Sequence, residues 1–180
     1  MKATGIVRRI DDLGRVVIPK EIRRTMRIRE GDPLEIYTDR DGEVIFKKYS
    51  PMGELASFAG HICDTLSKTT GASAIICDRD MVISASGAAK RDLADKRISE
   101  PLEHIIESRQ IYQHKSGETP VEVTDSKSGQ YLSVAAPIIS EGDVSGCVAF
   151  VFDGEDGDMG DTGYKLVQTV AGFLGKQMES

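Results

Sequence analysis

The sequence predicts an α+β protein in two parts, a small β-β-α-β-β unit over residues 1–50 and a larger antiparallel sheet with packed helices over residues 51–180. In the first part, short β-branched and alternating runs are separated by Gly, Pro and Asp turns. In the second part, segments with helical and strand periodicity follow one another. The charge also changes sign. Twelve of the 23 Lys and Arg residues and nine of the 29 Asp and Glu residues lie in the first fifty, giving +3 there and −9 in the remainder.

The first unit begins with two extended segments joined by a turn. Residues 4–10 are rich in β-branched side chains and predict a strand. Residues 11–14 supply turn chemistry, ending in a glycine that can adopt a positive φ, and residues 15–18 resume the extended run. Pro19 suits the first position of a helix, because the N–H it lacks would have no partner there. We therefore expect a helix over about residues 19–26.

A hairpin closes the first unit. Residues 33–38 alternate apolar and polar side chains, the Asp-Gly pair at 41–42 favours a hairpin turn, and residues 43–48 form the returning strand. A unit of this size buries too little apolar surface to be stable alone, and it contains no cysteine for a disulfide. We therefore expect two copies to dimerise through interleaved strands.

The basic residues of the first unit recur on both extended segments and on the helix. Most are arginines, whose planar guanidinium groups match phosphates and guanine edges. A solvated charged surface is the simpler alternative, but the clustering around one turn favours contact with nucleic acid. The chain has no Trp, five Tyr and five Phe, which leaves little for stacking single strands. Double-stranded DNA is therefore the expected partner.

The segment over residues 1–25, and above all Leu-Gly-Arg-Val-Val-Ile-Pro at 13–19, resembles the DNA-binding domain of the AbrB-type transition-state regulators of Gram-positive bacteria. The resemblance covers residues 1–50. It implies a swapped-hairpin β-barrel, in which two chains interleave their strands, and binding to AT-rich promoter DNA. It implies that the DNA-contacting arginines are Arg8, Arg15, Arg23 and Arg24. Lys2 and Arg9 are adjacent basic residues that we expect to contact phosphate.

The second unit begins after the Ser-Pro pair at 50–51. Apolar residues at helical spacing predict an amphipathic helix over 52–68 and a final helix over 164–178. Ser99 is expected to cap a third helix. Strands are expected over residues 74–77, 81–84, 121–123, 130–138 and 144–152. This order gives one antiparallel sheet with helices packed on it.

The order and size of these elements look like a GAF domain, a sensor module that often holds a small ligand between its sheet and helices. Over its full length the chain is similar to the stage V sporulation protein T family of spore-forming bacilli, most closely over residues 1–48 and at Ala-Gly-Phe-Leu over 171–174. The similarity implies a sequence-specific transcription regulator that activates and represses late, forespore-stage sporulation genes. Such a protein is expected to be cytoplasmic and nucleoid-associated. The sequence does not decide whether the second unit binds a small effector, or which one.

The residues that commonly carry chemistry do not form a catalytic pattern. Cys63, Cys77 and Cys147 are odd in number and widely spaced, which favours reduced, buried thiols over disulfides. His61 lies two residues before Cys63 on the predicted helix, about 200° around it, so the two cannot chelate together. The acidic segment 153–161 does not match a calcium-binding loop. We expect a solvated loop there, and neither metal, cofactor nor enzymatic activity.

Two other functions use the same folds. An antitoxin, or another interaction protein that is not a regulator, can use the AbrB-like barrel. Antitoxins of that type usually end in a disordered toxin-binding tail, whereas residues 51–180 have the pattern of a folded domain. A GAF-type enzyme, such as one that reduces methionine sulfoxide with cysteines, would need a catalytic constellation.

The two terminal helices of the second unit raise the question of assembly. They are expected to lie together on one face of the sheet. Their apolar stripes either cover only that sheet or also pair with a second copy. The second case, added to a dimer through residues 1–50, would give a tetramer. No apolar run approaches the roughly 20 residues that a membrane span requires.

Overall fold

The computed structural model describes residues 4–154 and 157–179, and it divides into two compact units, Met1–Tyr49 and Ser50–Ser180. The first unit contains helix α1 (Lys20–Thr25) and the strands β1 (Leu34–Thr38) and β2 (Val44–Lys48). The strands pair antiparallel, from Leu34 opposite Lys48 to Thr38 opposite Val44. Pro19 stands one position before α1 rather than inside it.

Over its described residues, the first unit has no buried core of its own. Over the described residues 4–49, not one residue is buried. Many of its apolar side chains are exposed instead, among them Val7 at 88%, Ile10 at 72% and Val17 at 71%. Apolar surface of this extent is a feature of interfaces rather than of isolated soluble domains. One chain therefore does not supply the burial that would stabilise this unit.

The strands predicted over residues 4–10 and 15–18 are not formed within one chain. Neither segment belongs to a strand ladder in the described part of the molecule. The turn between them is present: the Asp11 N–H donates to the Arg15 carbonyl and the Gly14 N–H to the Asp11 carbonyl, both at 3.0 Å, with Gly14 at φ 77°. A strand needs a neighbour to complete its hydrogen bonds, and one chain offers none. The predicted barrel is accordingly not closed by a single copy.

The second unit is built on a five-stranded antiparallel sheet. Its strands are β3 (Ser73–Cys77), β4 (Val82–Ser86), β5 (Tyr112–Gln113), β6 (Tyr131–Ser140) and β7 (Asp143–Phe152). They lie in the order β4-β3-β7-β6-β5 across the sheet. Its helices are α2 (Pro51–Glu54), α3 (Ala56–Thr70), α4 (Lys90–Leu93), α5 (Glu100–Ser108) and α6 (Gly160–Met178).

Helices cover both faces of this sheet. Alternate residues along each strand point to opposite faces, so Ile76 and Phe150 pack against α3 and α6 while Ile75 and Ala149 pack against the side of α4 and α5. Both terminal helices lie on one face, as expected. The two cores make the second unit a three-layer structure.

Several boundaries in the second unit differ from the predictions. The helix expected over 52–68 is broken at Leu55, and its buried residues include Met52 and Cys63 rather than the outward-facing Phe58. The strand predicted over 121–123 is reduced to an isolated bridge between Glu122 and Tyr131. The two-residue strand β5 had no sequence signal, because two residues are too few to show a period.

Local hydrogen bonding explains where two helices begin. The Ser99 hydroxyl accepts the Leu102 N–H at 3.2 Å and donates to the Glu122 carbonyl at 2.6 Å, so the predicted cap also ties α5 to the chain before β6. The Ser50 hydroxyl accepts the Gly53 N–H at 3.2 Å and donates to the Asp78 carboxylate at 2.8 Å. Each cap satisfies a helix N–H that would otherwise lack a partner.

The acidic segment over 153–161 is only partly the solvated loop that the sequence predicts. Gly157 is buried, and its carbonyl accepts a hydrogen bond from the Ser133 hydroxyl. Asp161 forms an ion pair with Lys165 at 2.6 Å in the first turn of α6. Glu155 and Asp156 lie outside the described residues. Among the described helices, none combines the length and apolarity needed to cross a bilayer.

Candidate nucleic-acid interface

The predicted DNA-contacting residues occupy three local structures of the first unit. Arg8 and Arg9 lie in the segment before the turn, Arg15 ends the turn, and Arg23 and Arg24 lie in the last turn of α1. All five are exposed. Lys2 lies outside the described residues. Within residues 4–49 no hydrogen bond joins the side chains of any two of the five, so their convergence on one ligand stays a prediction.

Arg15 is held by a carboxylate at the start of its own turn. The Arg15 Nε donates to Asp11 Oδ2 at 2.8 Å, while Asp11 Oδ1 accepts the backbone N–H groups of Arg15 at 2.8 Å and Leu13 at 3.0 Å. The Arg15 side chain is nevertheless 69% exposed. These bonds from Arg15, first from its backbone N–H and then from its guanidinium, hold the pKa of Asp11 below its ordinary value.

Arg23 is also held through Nε. Its donor reaches the carbonyl of Ile18 at 3.2 Å, just before α1 begins. Arg23 and Arg24 stand in the last turn of the helix, where cations are favoured by the partial negative charge of the unpaired carbonyls. Residues Arg15 and Arg23 thus share one arrangement: Nε is bonded within the chain, and among the described residues the terminal Nη nitrogens meet no partner.

Other basic residues of the first unit serve its internal structure. The Lys48 Nζ donates to the Arg27 carbonyl at 2.8 Å and lies 3.4 Å from the Asp32 carboxylate, which is only 4% exposed. Lys47 lies over the ring of Tyr37, 4.5 Å from its centre. Besides the exposed arginine set, the first unit thus has lysines with internal contacts: Lys48 connects the chain after α1 to the hairpin, and Lys47 packs on β1 within it.

Asp11 is the residue that sequence reasoning did not single out. From the sequence, Asp11 is expected only to form part of the turn over residues 11–14. Its signal was available in the spacing, because an aspartate two residues before one N–H and four residues before an arginine can accept from both. Whether the carboxylate turns toward that arginine depends on the local backbone, which the spacing alone does not give.

The second unit contains a cavity of about 270 Å³ at one end of its sheet. It lies where β3 begins and β7 ends, and its polar lining includes Gln130, Ser133, Asp153 and Asp158. Over residues 4–154 and 157–179, no three His, Cys, Asp or Glu side chains are grouped closely enough to hold a metal ion. The cavity therefore combines hydrogen-bonding groups and carboxylates with apolar side chains such as Val151 and Phe152.

Comparison with known proteins places these two units in one family. The profile described as "Stage V sporulation protein T C-terminal, transcription factor" matches residues 54–179, and "Antidote-toxin recognition MazE, bacterial antitoxin" matches residues 7–53. Stage V sporulation protein T of Bacillus subtilis (strain 168) is 52% identical over 179 residues, covering 99% of each chain. This chain belongs to the stage V sporulation protein T family. The family is one of transcription factors, as its profile states.

Two further relatives bear on the separate units of this family member. The transition state regulatory protein AbrB of Bacillus subtilis is 49% identical over 76 residues, covering 42% of this chain and 77% of AbrB. The cofactor-binding GAF domain of the nutrient sensor CodY from Clostridium difficile superimposes with a TM-score of 0.51 at 12% identity, covering 66% of this chain and 83% of that one. The AbrB-like and GAF-like folds are therefore confirmed, and for the second unit the likeness concerns fold alone.

Proposed function

We propose that this protein is a sequence-specific DNA-binding transcription regulator that activates and represses late, forespore-stage sporulation genes and acts at the nucleoid. The observation that carries the proposal is the exposed arginine set of the first unit, in a segment closely similar to AbrB. Arg8, Arg15, Arg23 and Arg24 supply most of the affinity for AT-rich promoter duplex. Arg9 and Lys2 add phosphate contacts.

The chemistry of the set fits this role. Guanidinium groups with open Nη nitrogens form paired hydrogen bonds to phosphate oxygens or to the edge of guanine. Each phosphate that an arginine neutralises releases condensed counterions, so binding weakens as salt rises. The net charge of −9 over residues 51–180 keeps that unit away from the DNA backbone.

The test replaces all four arginines by alanine and measures duplex affinity across a range of salt concentrations. We expect the slope of log K against log salt to fall by about 0.9 for each phosphate contact removed. The matched control removes four exposed positive charges from the second unit, at Lys68, Arg91, Lys96 and Lys115. If the arginine variant keeps the affinity and slope of the wild-type protein, the proposed interface is wrong.

The proposed DNA-binding form is a dimer through residues 1–50. Support comes from the absence of any buried residue over 4–49 and from the unpaired segments 4–10 and 15–18. Interleaving two copies would give those segments strand partners and would bury Val7, Ile10 and Val17. Dimerisation would then both bury these apolar side chains and complete the backbone hydrogen bonds of the two segments.

We further propose that two such dimers join through the second unit, giving a tetramer. Support comes from α3 and α6, which share one face of the sheet. Phe58 and Phe173 pack against each other on the outer side of these helices, with ring centres 5.9 Å apart and ring planes tilted by 48°. They are 36% and 50% exposed. A two-fold contact of this face, added to that of the first unit, closes a four-chain assembly.

A small effector bound by the second unit would modulate this assembly. The cavity beside Gln130 and Ser133 is the site we favour, since buried polar groups there can fix the orientation of a ligand. Binding would alter DNA affinity only to the extent that the effector prefers one arrangement of the subunits over another.

A further inference from the structure

The turn that carries Arg15 also carries a carboxylate that ought to oppose DNA binding. Asp11 lies among arginines that the proposed function directs at phosphate, and it is exposed. A free aspartate at such a place repels the DNA backbone at short range. Asp12, its neighbour, is exposed too, but no hydrogen bond joins its carboxylate to a described residue.

The contacts of Asp11 set it apart from Asp12. One oxygen accepts two backbone N–H groups, which fixes the carboxylate relative to the turn. The other oxygen accepts Nε of Arg15 at 2.8 Å. The carboxylate is therefore bonded on both sides, and the guanidinium is tied at the nitrogen nearest its stem.

With the Arg15 guanidinium held at Nε, its two Nη nitrogens have no partner among the described residues, and the side chain is 69% exposed. Those two nitrogens form one of the forked edges that bind phosphate or guanine in pairs. An unrestrained arginine loses rotamer freedom when it binds, and a restrained one has already lost part of it. Arg23 shows the same arrangement with a backbone carbonyl in place of the carboxylate.

We propose that Asp11 is a positioning residue, which orients the guanidinium of Arg15 for DNA and thereby strengthens binding despite its negative charge. The proposal rests on the proposed function, because it assumes that Arg15 contacts DNA. It predicts that removing the Asp11 charge weakens DNA binding. Simple electrostatics predicts the opposite, because removing any carboxylate from this surface would reduce the repulsion of phosphate.

The experiment measures duplex affinity for the full-length protein with Asp11→Asn and with Asp12→Asn. Asparagine keeps an oxygen that can accept the two backbone N–H groups, so the turn is retained, while the charge toward Arg15 is lost. We expect Asp11→Asn to bind DNA roughly two- to five-fold more weakly, in line with exposed ion pairs. Asp12→Asn is expected to bind equally well or more tightly.

Two backgrounds separate positioning from a general effect on the fold. In a protein that already carries Arg15→Ala, adding Asp11→Asn should cause no further loss of DNA affinity. In a protein that carries Arg24→Ala, the loss of affinity caused by Asp11→Asn should persist. If Asp11→Asn binds as tightly as the wild-type protein or more tightly, or if its penalty survives in Arg15→Ala, the proposal is overturned.

A spectroscopic readout covers the case in which the variant does not fold. In the free wild-type protein, the Arg15 Nε–H should give a resonance protected from solvent exchange, unlike that of Arg24. An exchange rate equal to that of Arg24 would refute the positioning role. Failure of the proposed function is distinguishable, because then the wild-type protein itself would not bind duplex DNA, or Arg15→Ala would bind like the wild type.

Discussion

At the scale of single residues, the three cysteines are free thiols buried inside the second unit. Cys77 and Cys147 stand directly opposite each other on β3 and β7, with their sulfur atoms 3.5 Å apart. The hydrogen bond to Cys147, together with burial, raises the pKa of Cys77. Burial raises the pKa of Cys63 to about 12. Since the thiolate is the reactive form, Cys63 and Cys77 act as small apolar side chains of the core.

The raised pKa of the Cys63 thiol predicts that the stability of the protein depends on pH. Above its ordinary pKa of 9.0, the unfolded chain loses the Cys63 proton while the folded chain keeps it up to about pH 12. The unfolded state then binds fewer protons, so the free energy of unfolding falls with rising pH, by at most about 1.4 kcal/mol per unit from this group. Urea unfolding of the wild-type protein and of Cys63→Ala measures the difference. We expect the stability gap between them to shrink by roughly 2 kcal/mol from pH 8 to 10.5; parallel profiles would contradict this.

At the scale of elements, the approach of α6 to the sheet depends on a glycine. A Cβ built at Gly175 would overlap the carbonyl oxygen of Ile139 on β6, whereas a Cβ at Gly172 would have no described atom within 4 Å. The two glycines are three residues apart on one helix, one buried and one exposed. Gly175 thus permits backbone contact between the helix and the strand.

These two glycines give a matched pair of variants. Gly175→Ala should lower the free energy of unfolding by about 1–3 kcal/mol, because the helix or strand must shift to admit the methyl group. Gly172→Ala should raise it by up to about 1 kcal/mol, since alanine favours the helix and meets no neighbour. Thermal or urea unfolding of both variants tests the assignment. Equal effects of the two substitutions would show that α6 does not pack closely at Gly175.

The elements that the sequence predicted well are those whose partners lie nearby in the same chain. Strands β6 and β7 have long apolar runs and a two-residue turn at Glu141 and Gly142, both at positive φ, so periodicity and turn chemistry agreed. Residues 4–10 are equally rich in side chains that favour strands, yet they form no strand in the described part of the chain. Periodicity reports what a segment can form, while a ladder also requires a neighbour.

The candidate interface was predictable in composition but not in local geometry. Exposure of Arg8, Arg15 and Arg23 follows from their charge and spacing. The Nε bonds of Arg15 and Arg23 depend on rotamers and on the path of the backbone between Asp11 and Ile18. A pattern of residue types does not encode either quantity.

At the scale of the whole molecule, the outer side of α3 and α6 predicts the state of assembly. Light scattering of the full-length protein should give a tetramer. Phe58→Glu with Phe173→Glu should give a dimer, because two carboxylates would enter the apolar contact. Substitution of glutamate at the exposed polar positions Thr65 and Gln168 of the same helices is the control. A wild-type dimer, or a tetramer that survives the phenylalanine changes, would rule out this contact.

The lack of any buried residue over 4–49 has a consequence for how such a regulator responds to its own abundance. If the first unit acquires a core only by dimerising with a second copy, its folding is a second-order reaction, and the folded fraction depends on subunit concentration. Promoter occupancy then rises more steeply than in proportion to the number of chains in the cell. A modest change in the synthesis or proteolysis of this protein would then cause a larger change in transcription, without any effector being bound.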